Sequence, residues 1–370
     1  MRRAARERIT FPGEGIGMSL TRRDLGRIAL AAWPAAKLAA KPDSLFGGVQ
    51  VGANVPYSFH NMSGTADKIL EYMTQLNLSA AELRLQPVEA YLGAPGVYAS
   101  SFDSPGAGQR GAAAPTGGRG PTRGDATKAE PGPSVARGAK GAGRAPLTPE
   151  QQAAQAEAAR KLSDWRLSLP MDKIKSFRKK YETAGVLIQI LKVDNFNSFS
   201  DGVTDYFFEV AKNLGAHAIS TEGRLGDVER LGKFADKHKM MVGYHGHTAG
   251  PGGEAFGAPE NWEKAMEVAQ YNGINLDLGH FLVGNKTSPI PFMTKYHDRI
   301  THVHVKDRKY DGSTVPFGQG DVPIVEALQL MKRNHWKFQA TIEFEYSVPQ
   351  GSDLLIEMGK CVEYCKKALT

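Results

Sequence analysis

The chain is poor in cysteine, with only Cys361 and Cys365 among 370 residues. That excludes a disulfide-built secreted scaffold. Their i,i+4 spacing puts both thiols on one face of a C-terminal helix, and no further zinc ligand stands nearby. They therefore read as partly buried free thiols. Long hydrophobic runs are missing too. No uncharged apolar stretch reaches about 18 residues, which excludes a polytopic membrane protein. Hydrophobic residues still make up 41% of the chain, enough for a sizeable core.

Net charge is missing from most of the chain, although the total is +7. Residues 1–45 hold nine basic and four acidic side chains, and residues 101–150 hold seven and four. Elsewhere 30 bases face 31 acids. A near-neutral remainder lacks the excess positive charge of a phosphate-binding face, so nucleic acid is not an expected partner.

Residues 1–45 read as a leader. Arg22 and Arg23 form a twin-arginine pair, and Ile28–Ala36 is a short, weakly apolar stretch. This pattern is similar to a bacterial twin-arginine export signal, which implies a folded cargo delivered to the periplasm. The apolar stretch is too short to span a bilayer, so no stable membrane insertion is expected. Met18 is a second candidate start.

Residues 101–150 contain eleven Gly, ten Ala and seven Pro. Such a segment cannot bury enough surface to offset its ordering entropy and is expected to be disordered. A helix can nucleate at its far end, with Thr148 as N-cap and Pro149 at the first position. Setting aside residues 1–45 and an insertion over 101–160 leaves about the length of one (β/α)8 barrel.

The remaining chain alternates β-rich runs with helical periodicity. Strands are expected at 49–55, 79–85, 186–193, 216–221, 240–245, 274–278, 300–305 and 339–344. Helices are expected at 65–76, 171–183, 205–214, 227–238, 261–270, 290–297, 322–334 and 353–369. Gly185 and Gly215 stand where helix C-caps belong. The expected architecture is a single-domain α/β (β/α)8 barrel over 46–370, interrupted after its second strand.

In such a barrel the site lies at the C-terminal ends of the strands. The polar residues there are Glu82 and Arg84, Glu222, His245 and His247, Asp277 and His280, His302, His304 and Lys306, then Glu343 and Glu345. Six of the ten histidines fall within residues 245–304. Histidine and carboxylate side chains from neighbouring strands suit a divalent metal such as Mn, Co, Zn or Mg. Side-chain alternation puts His302 and His304 on one side, and likewise Glu343 and Glu345, so one member of each pair can reach a given ligand layer. His302 can instead sit lower, bonded to backbone, and Glu82 can form an ion pair with Arg84 or another base. His60 lies after the first strand, near the mouth. His217, His238, His297 and His335 fall at helix ends and read as surface or capping residues.

The Tyr-His-x-His at 244–247, Asp-x-x-His at 277–280, His-Val-His-Val-Lys-Asp at 302–307, Gly-Gln-Gly-Asp at 318–321 and Ile342-Glu343 occur in order. This series resembles the xylose isomerase-like barrel superfamily of sugar phosphate isomerases/epimerases, inosose dehydratases and endonuclease IV. The resemblance implies one metal on Asp277, His304 and Glu343, with His245 standing where the epimerases carry a glutamate. It also implies proton abstraction next to a carbonyl of a sugar or keto-sugar. Glu343 would act with His247, His280 or Glu222, and Lys306 would stabilise the enediolate oxygen. A metal-dependent isomerase or epimerase is the first expectation; a keto-glycoside lyase or sugar dehydratase is the alternative. An endonuclease IV-like nuclease and a non-catalytic sugar-binding barrel are the competing classes.

Overall fold

The computed structural model describes residues 41–104, 148–248 and 253–370. The twin-arginine pair, the apolar stretch behind it and residues 105–147 of the insertion lie outside the described residues. Eight parallel strands close on themselves in chain order. They are β1 (Val49–Val55), β2 (Ala80–Arg84), β3 (Leu187–Lys192), β4 (Ala218–Thr221), β5 (Met241–His245), β6 (Asn272–Asp277), β7 (Ile300–Val305) and β8 (Gln339–Ile342). Ala53 of β1 pairs with Ala81 on one side and Ile342 on the other, which closes the barrel. The short strand Leu45–Phe46 pairs antiparallel with the start of β1.

The helices α1 (Ala66–Gln75), α2 (Leu85–Tyr91), α3 (Pro149–Ser168), α4 (Met171–Ala184), α5 (Asp201–Leu214) and α6 (Val228–His238) follow the first four strands. The second half adds α7 (Pro259–Val268), α8 (Leu278–Asn285), α9 (Ile290–Lys295), α10 (Ile324–Asn334) and α11 (Leu354–Leu369). Apart from α3, each longer helix buries one stripe. On α4 the stripe is Ile174, Phe177 and Tyr181, and on α5 it includes Phe207, Val210, Ala211 and Leu214. This is the 3.6-residue period seen in the sequence. Gly185 and Gly215 close α4 and α5 at φ 89° and 82°, a backbone conformation glycine adopts without steric cost.

Several boundaries move for identifiable reasons. The helix expected from 205 starts at Asp201, because Ser200 accepts a bond from the Val203 amide. The eighth strand ends at Ile342 rather than 344, since the Phe344 amide turns to the Ser58 hydroxyl at 3.1 Å. The segment expected as insertion to residue 160 is helical from Pro149. Thr148 and Gln151 cap it reciprocally. Its other end is held by Arg166, which grips Glu89 at 2.7 and 2.8 Å and lies over the rings of Phe199 and Phe207. Helices α2 and α8 were not expected.

Cys361 and Cys365 are buried free thiols on α11, and burial pushes the Cys361 thiol up to about 12. Among the described residues no helix is long and apolar enough to cross a membrane.

Candidate metal centre at the strand ends

Four side chains from consecutive strands meet at the C-terminal end of the barrel. His245 closes β5, Asp277 closes β6, His304 is the penultimate residue of β7, and Glu343 follows β8 directly. One ligand atom of each lies within 4.8 Å of every other, and all four residues are buried. His304 Nδ1 is 3.0 Å from His245 Nε2, 3.6 Å from Asp277 Oδ2 and 3.3 Å from Glu343 Oε2. His245 Nε2 is 3.3 Å from Asp277 Oδ2.

The local sequence explains the convergence. Asp277 is both the last residue of β6 and the N-cap of α8, its Oδ1 accepting from the His280 amide at 2.7 Å. That bond turns Oδ2 toward the other three groups. Gly246 lets β5 leave the barrel beneath Trp262; a Cβ there would sit 2.5 Å from the indole ring. His245 and His247 then share Glu222, at 2.9 and 2.6 Å.

Lys306, expected near a developing oxyanion, lies against the cluster. Its Nζ is 2.8 Å from Asp277 Oδ2 and 2.7 Å from Glu345 Oε1, and it contacts Glu343 Oε2. Burial opposes its charge, yet Asp277, Glu343 and Glu345 hold the ammonium well above its usual range. Glu345, which shares a side with Glu343, belongs to this edge of the site. It binds Lys306 and Arg308 and accepts from the Tyr57 hydroxyl at 3.2 Å. Asn54 of β1 donates to Glu343 Oε1 at 3.0 Å.

Glu82 pairs with histidine, not with Arg84. Its Oε2 accepts from His304 Nε2 at 2.6 Å and lies 3.3 Å from His302 Nε2. Arg84 turns instead to Asp194 at 3.0 Å. His302 sits lower, as one reading expected, but its Nδ1 meets the Thr301 hydroxyl rather than backbone. Burial holds His302 down to about 4. His280 is buried beside the cluster, its Nδ1 2.8 Å from the Thr248 hydroxyl. Burial and Lys306 hold it well below its usual range, so it is a neutral imidazole. His247 stands at the mouth, its side chain 44% exposed. His60 is exposed beside Phe344, outside the cluster. His217, His238, His297 and His335 lie at helix or strand approaches away from it, and His335 closes α10.

Sequence reasoning missed Lys192 and Asp194. Lys192 ends strand β3 and is buried, with its Nζ 2.7 Å from Glu222 and 3.6 Å from Asp194. The available signal was a lone charged residue closing a strand that otherwise carries none.

These side chains form one charged network. Its carboxylates are Glu82, Asp194, Glu222, Asp277, Glu343 and Glu345; its fixed cations are Arg84, Lys192, Lys306 and Arg308. Two negative charges remain. Burial opposes protonation of His304, but Glu343 and Glu82 raise it well above the usual imidazole value. Burial likewise opposes protonation of His245, and Glu222 raises it. The network thus calls for two more positive charges at the point where two imidazole nitrogens and two carboxylate oxygens face one another. A dication meets both the charge and the donor chemistry of that set, so the residues fit a metal.

A closed parallel barrel with a nitrogen- and oxygen-lined site at its strand ends is the class defined by this geometry. Residues 208–359 match the family described as xylose isomerase-like TIM barrel. Among curated relatives, an inosose dehydratase of Clostridium tetani is 28% identical over 148 residues, covering 34% of this chain and 48% of its own. A second, from Clostridium botulinum, is 34% identical over 104 residues, covering 28% and 30%. The chain thus spans about half the length of the first of these relatives, or less. Among solved structures, the probable 3-DHS dehydratase AsbF of Bacillus anthracis superposes with a TM-score of 0.50 at 11% identity, covering 84% of this chain and 97% of its own. The IOLI protein, solved with a bound zinc atom, gives 0.50 at 12% identity, covering 87% and 98%. At such identities the structures support the fold alone.

Proposed function

We propose that this protein is a divalent-metal-dependent lyase that dehydrates a polyhydroxylated ketone, a keto-sugar or cyclic keto-polyol, through loss of a proton next to the carbonyl. The observation that carries this reading is the cluster of His245, Asp277, His304 and Glu343. The dehydratase names of the curated relatives favour elimination over isomerisation. The four residues would hold the metal, whose chemistry when bound is Lewis-acid polarisation of a carbonyl and its neighbouring hydroxyl.

The chain's own groups supply the rest. Glu343 is held well below the usual carboxylate range, since Lys306 and His304 outweigh its burial. It is therefore an ionised base next to the metal centre, and its Oε1 is aimed by Asn54. It takes the proton from the carbon beside the carbonyl, leaving an enolate. Lys306 is positioned to stabilise the enolate oxygen. Elimination then expels hydroxide from the next carbon, and a proton from the mouth makes it water. His247, on the exposed side, is the group placed to deliver that proton, and the neutral imidazole of His280 beside it can only relay it. Epimerisation or isomerisation shares the first step and differs in returning the proton to carbon.

Proton NMR in D₂O separates these outcomes, with the metal-loaded protein offered inososes, keto-sugars and 3-keto-glycosides. Loss of the proton with growth of an enone signal is expected. Deuterium uptake without an alkene would make the protein an epimerase or isomerase. Neither change, with any of Mn, Co, Zn or Mg supplied, would sink both readings. Export remains part of this proposal: the leader around Arg22 and Arg23 would carry the folded, metal-loaded barrel to the periplasm. N-terminal sequencing of the periplasmic protein tests it and distinguishes Met1 from Met18 as the start.

A further inference from the structure

Both histidines of the cluster carry a carboxylate on the ring nitrogen that faces away from it, enclosed in the case of Glu82 and part-exposed in the case of Glu222. His245 turns Nε2 inward, and its Nδ1 lies 2.9 Å from Glu222 Oε1. His304 turns Nδ1 inward, and its Nε2 lies 2.6 Å from Glu82 Oε2. An ionised carboxylate only accepts, so the outward nitrogen must carry the proton in each ring. With a metal on both inward nitrogens, the two rings would be held in opposite tautomers, each offering a lone pair to the same point.

From this arrangement we infer that Glu222 and Glu82 are positioning residues that select which nitrogen each histidine offers to a metal. Glu222 was expected to move protons; its placement gives it this prior duty. Both oxygens of Glu222 are engaged: Oε1 binds His245 and Lys192, while Oε2 binds His247. Its backbone amide donates to Asp194 at 2.9 Å, which fixes where the side chain starts. Glu82 is fully enclosed, and its Oε1 makes no hydrogen bond, so its hold on His304 is its main anchor. A ligand histidine whose outer nitrogen is bound to a carboxylate is both oriented and more basic. The inference rests on the metal reading of the cluster but not on the reaction proposed for it.

The test is zinc binding to the full-length protein, measured by competition with a chromophoric chelator at a temperature where every variant is folded. Glu82→Gln and Glu222→Gln keep an acceptor but lose the charge; a loss of roughly tenfold in zinc affinity is expected. Glu82→Leu and Glu222→Leu leave no acceptor, and a loss approaching about 100-fold is expected. A purely structural role would lower the melting temperature of the metal-free variants while zinc affinity stayed within twofold, and that result would overturn the inference. Should the leucine variants fail to fold, wild-type protein decides the matter. With ¹⁵N-labelled histidine and zinc bound, the spectrum must show His304 protonated at Nε2 and His245 at Nδ1. The same tautomer on both rings would overturn the inference. A wild-type protein that takes up no zinc would overturn the metal reading itself, and this inference with it; zinc uptake with unaltered variants removes only the positioning role.

Discussion

The two halves of the barrel contribute differently to one site. Strands β5–β8 place the four facing donor groups, His245, Asp277, His304 and Glu343. The ends of β1–β4 supply groups that hold those donors: Asn54 on Glu343, Glu82 on His304, and Lys192 with Asp194 around Glu222, which in turn holds His245. The family match begins inside α5, before β4, and runs through β8, so it spans the donor half and only the last part of the supporting half. A site can thus keep its ligand chemistry in one half while the other sets the orientation and charge of those ligands.

The strongest way to break this comparison is to remove a donor. His304→Ala takes away a ligand and leaves Glu82 without its closest partner, at a site with no solvent access. Zinc affinity should fall by more than the roughly 100-fold upper range of an outer-partner change. Stripping one partner from a buried pair should also cost about 3–5 kcal/mol of folding stability. Chelator competition and urea denaturation measure the two. A loss no larger than that of Glu82→Leu would show that donors and supports cannot be ranked in this way.

Metal removal is the next largest effect. Zinc at about 100 times its dissociation constant should stabilise the folded wild type by about 2.7 kcal/mol relative to chelator-treated protein. That increment should vanish in His304→Ala and persist, reduced, in the supporting-half variants. Thermal melts with and without chelator give the result, and an equal increment in all of them would place the metal elsewhere.

A third change tests how far outward the support extends. Arg84 pairs with Asp194, which in turn holds the Glu222 amide, and lies over the Tyr57 ring. Arg84→Met should cost about 1 kcal/mol, because it leaves a part-buried carboxylate under-compensated. Zinc affinity should stay within about twofold, since Lys192 still holds Glu222. A larger loss of affinity would extend the positioning chain by one more residue.

The donor half was legible in the sequence because its residues close strands, and strand ends of a parallel barrel point to one mouth. Strand count and side-chain alternation narrowed the donors to a few strand-end residues but left His302 or His304 and Glu343 or Glu345 open, and the family resemblance implied the set His245, Asp277, His304 and Glu343. The supporting half was not legible, because its roles depend on which of several neighbours a long side chain reaches. Glu82 had Arg84 two residues away and bonded instead to a histidine more than two hundred residues later. Arg84 and Lys192 both settled on Asp194, a loop residue that no periodicity marks. The helices followed the same rule. Those with a clear apolar stripe were placed to within a few residues. Helix α3, exposed over most of its first half, exists through its capping box and one buried arginine.

The smallest expected effect concerns Lys306, which belongs to β7 by position but acts on the donors as a competing cation. Its stem crosses Gly279 on α8, where a Cβ would lie 2.7 Å from Lys306 Cγ and 3.3 Å from Arg308 Cδ. Lys306 Cγ belongs to the enclosed stem of a buried side chain, so Gly279→Ala can be accommodated only by shifting that stem. The helix propensity gained, about 1 kcal/mol at most, should offset only part of the crowding. The added methyl should displace the Lys306 stem and loosen the hold of its ammonium on Asp277. An ammonium and a metal compete for the same carboxylate oxygens, so zinc affinity should rise by about two- to fivefold, under 1 kcal/mol. Lys306→Met should raise it further, and Gly279→Ala should add nothing in that background. If Gly279→Ala weakens zinc binding instead, Lys306 holds Asp277 and Glu343 in place for the metal rather than competing with it, and it belongs among the supporting groups.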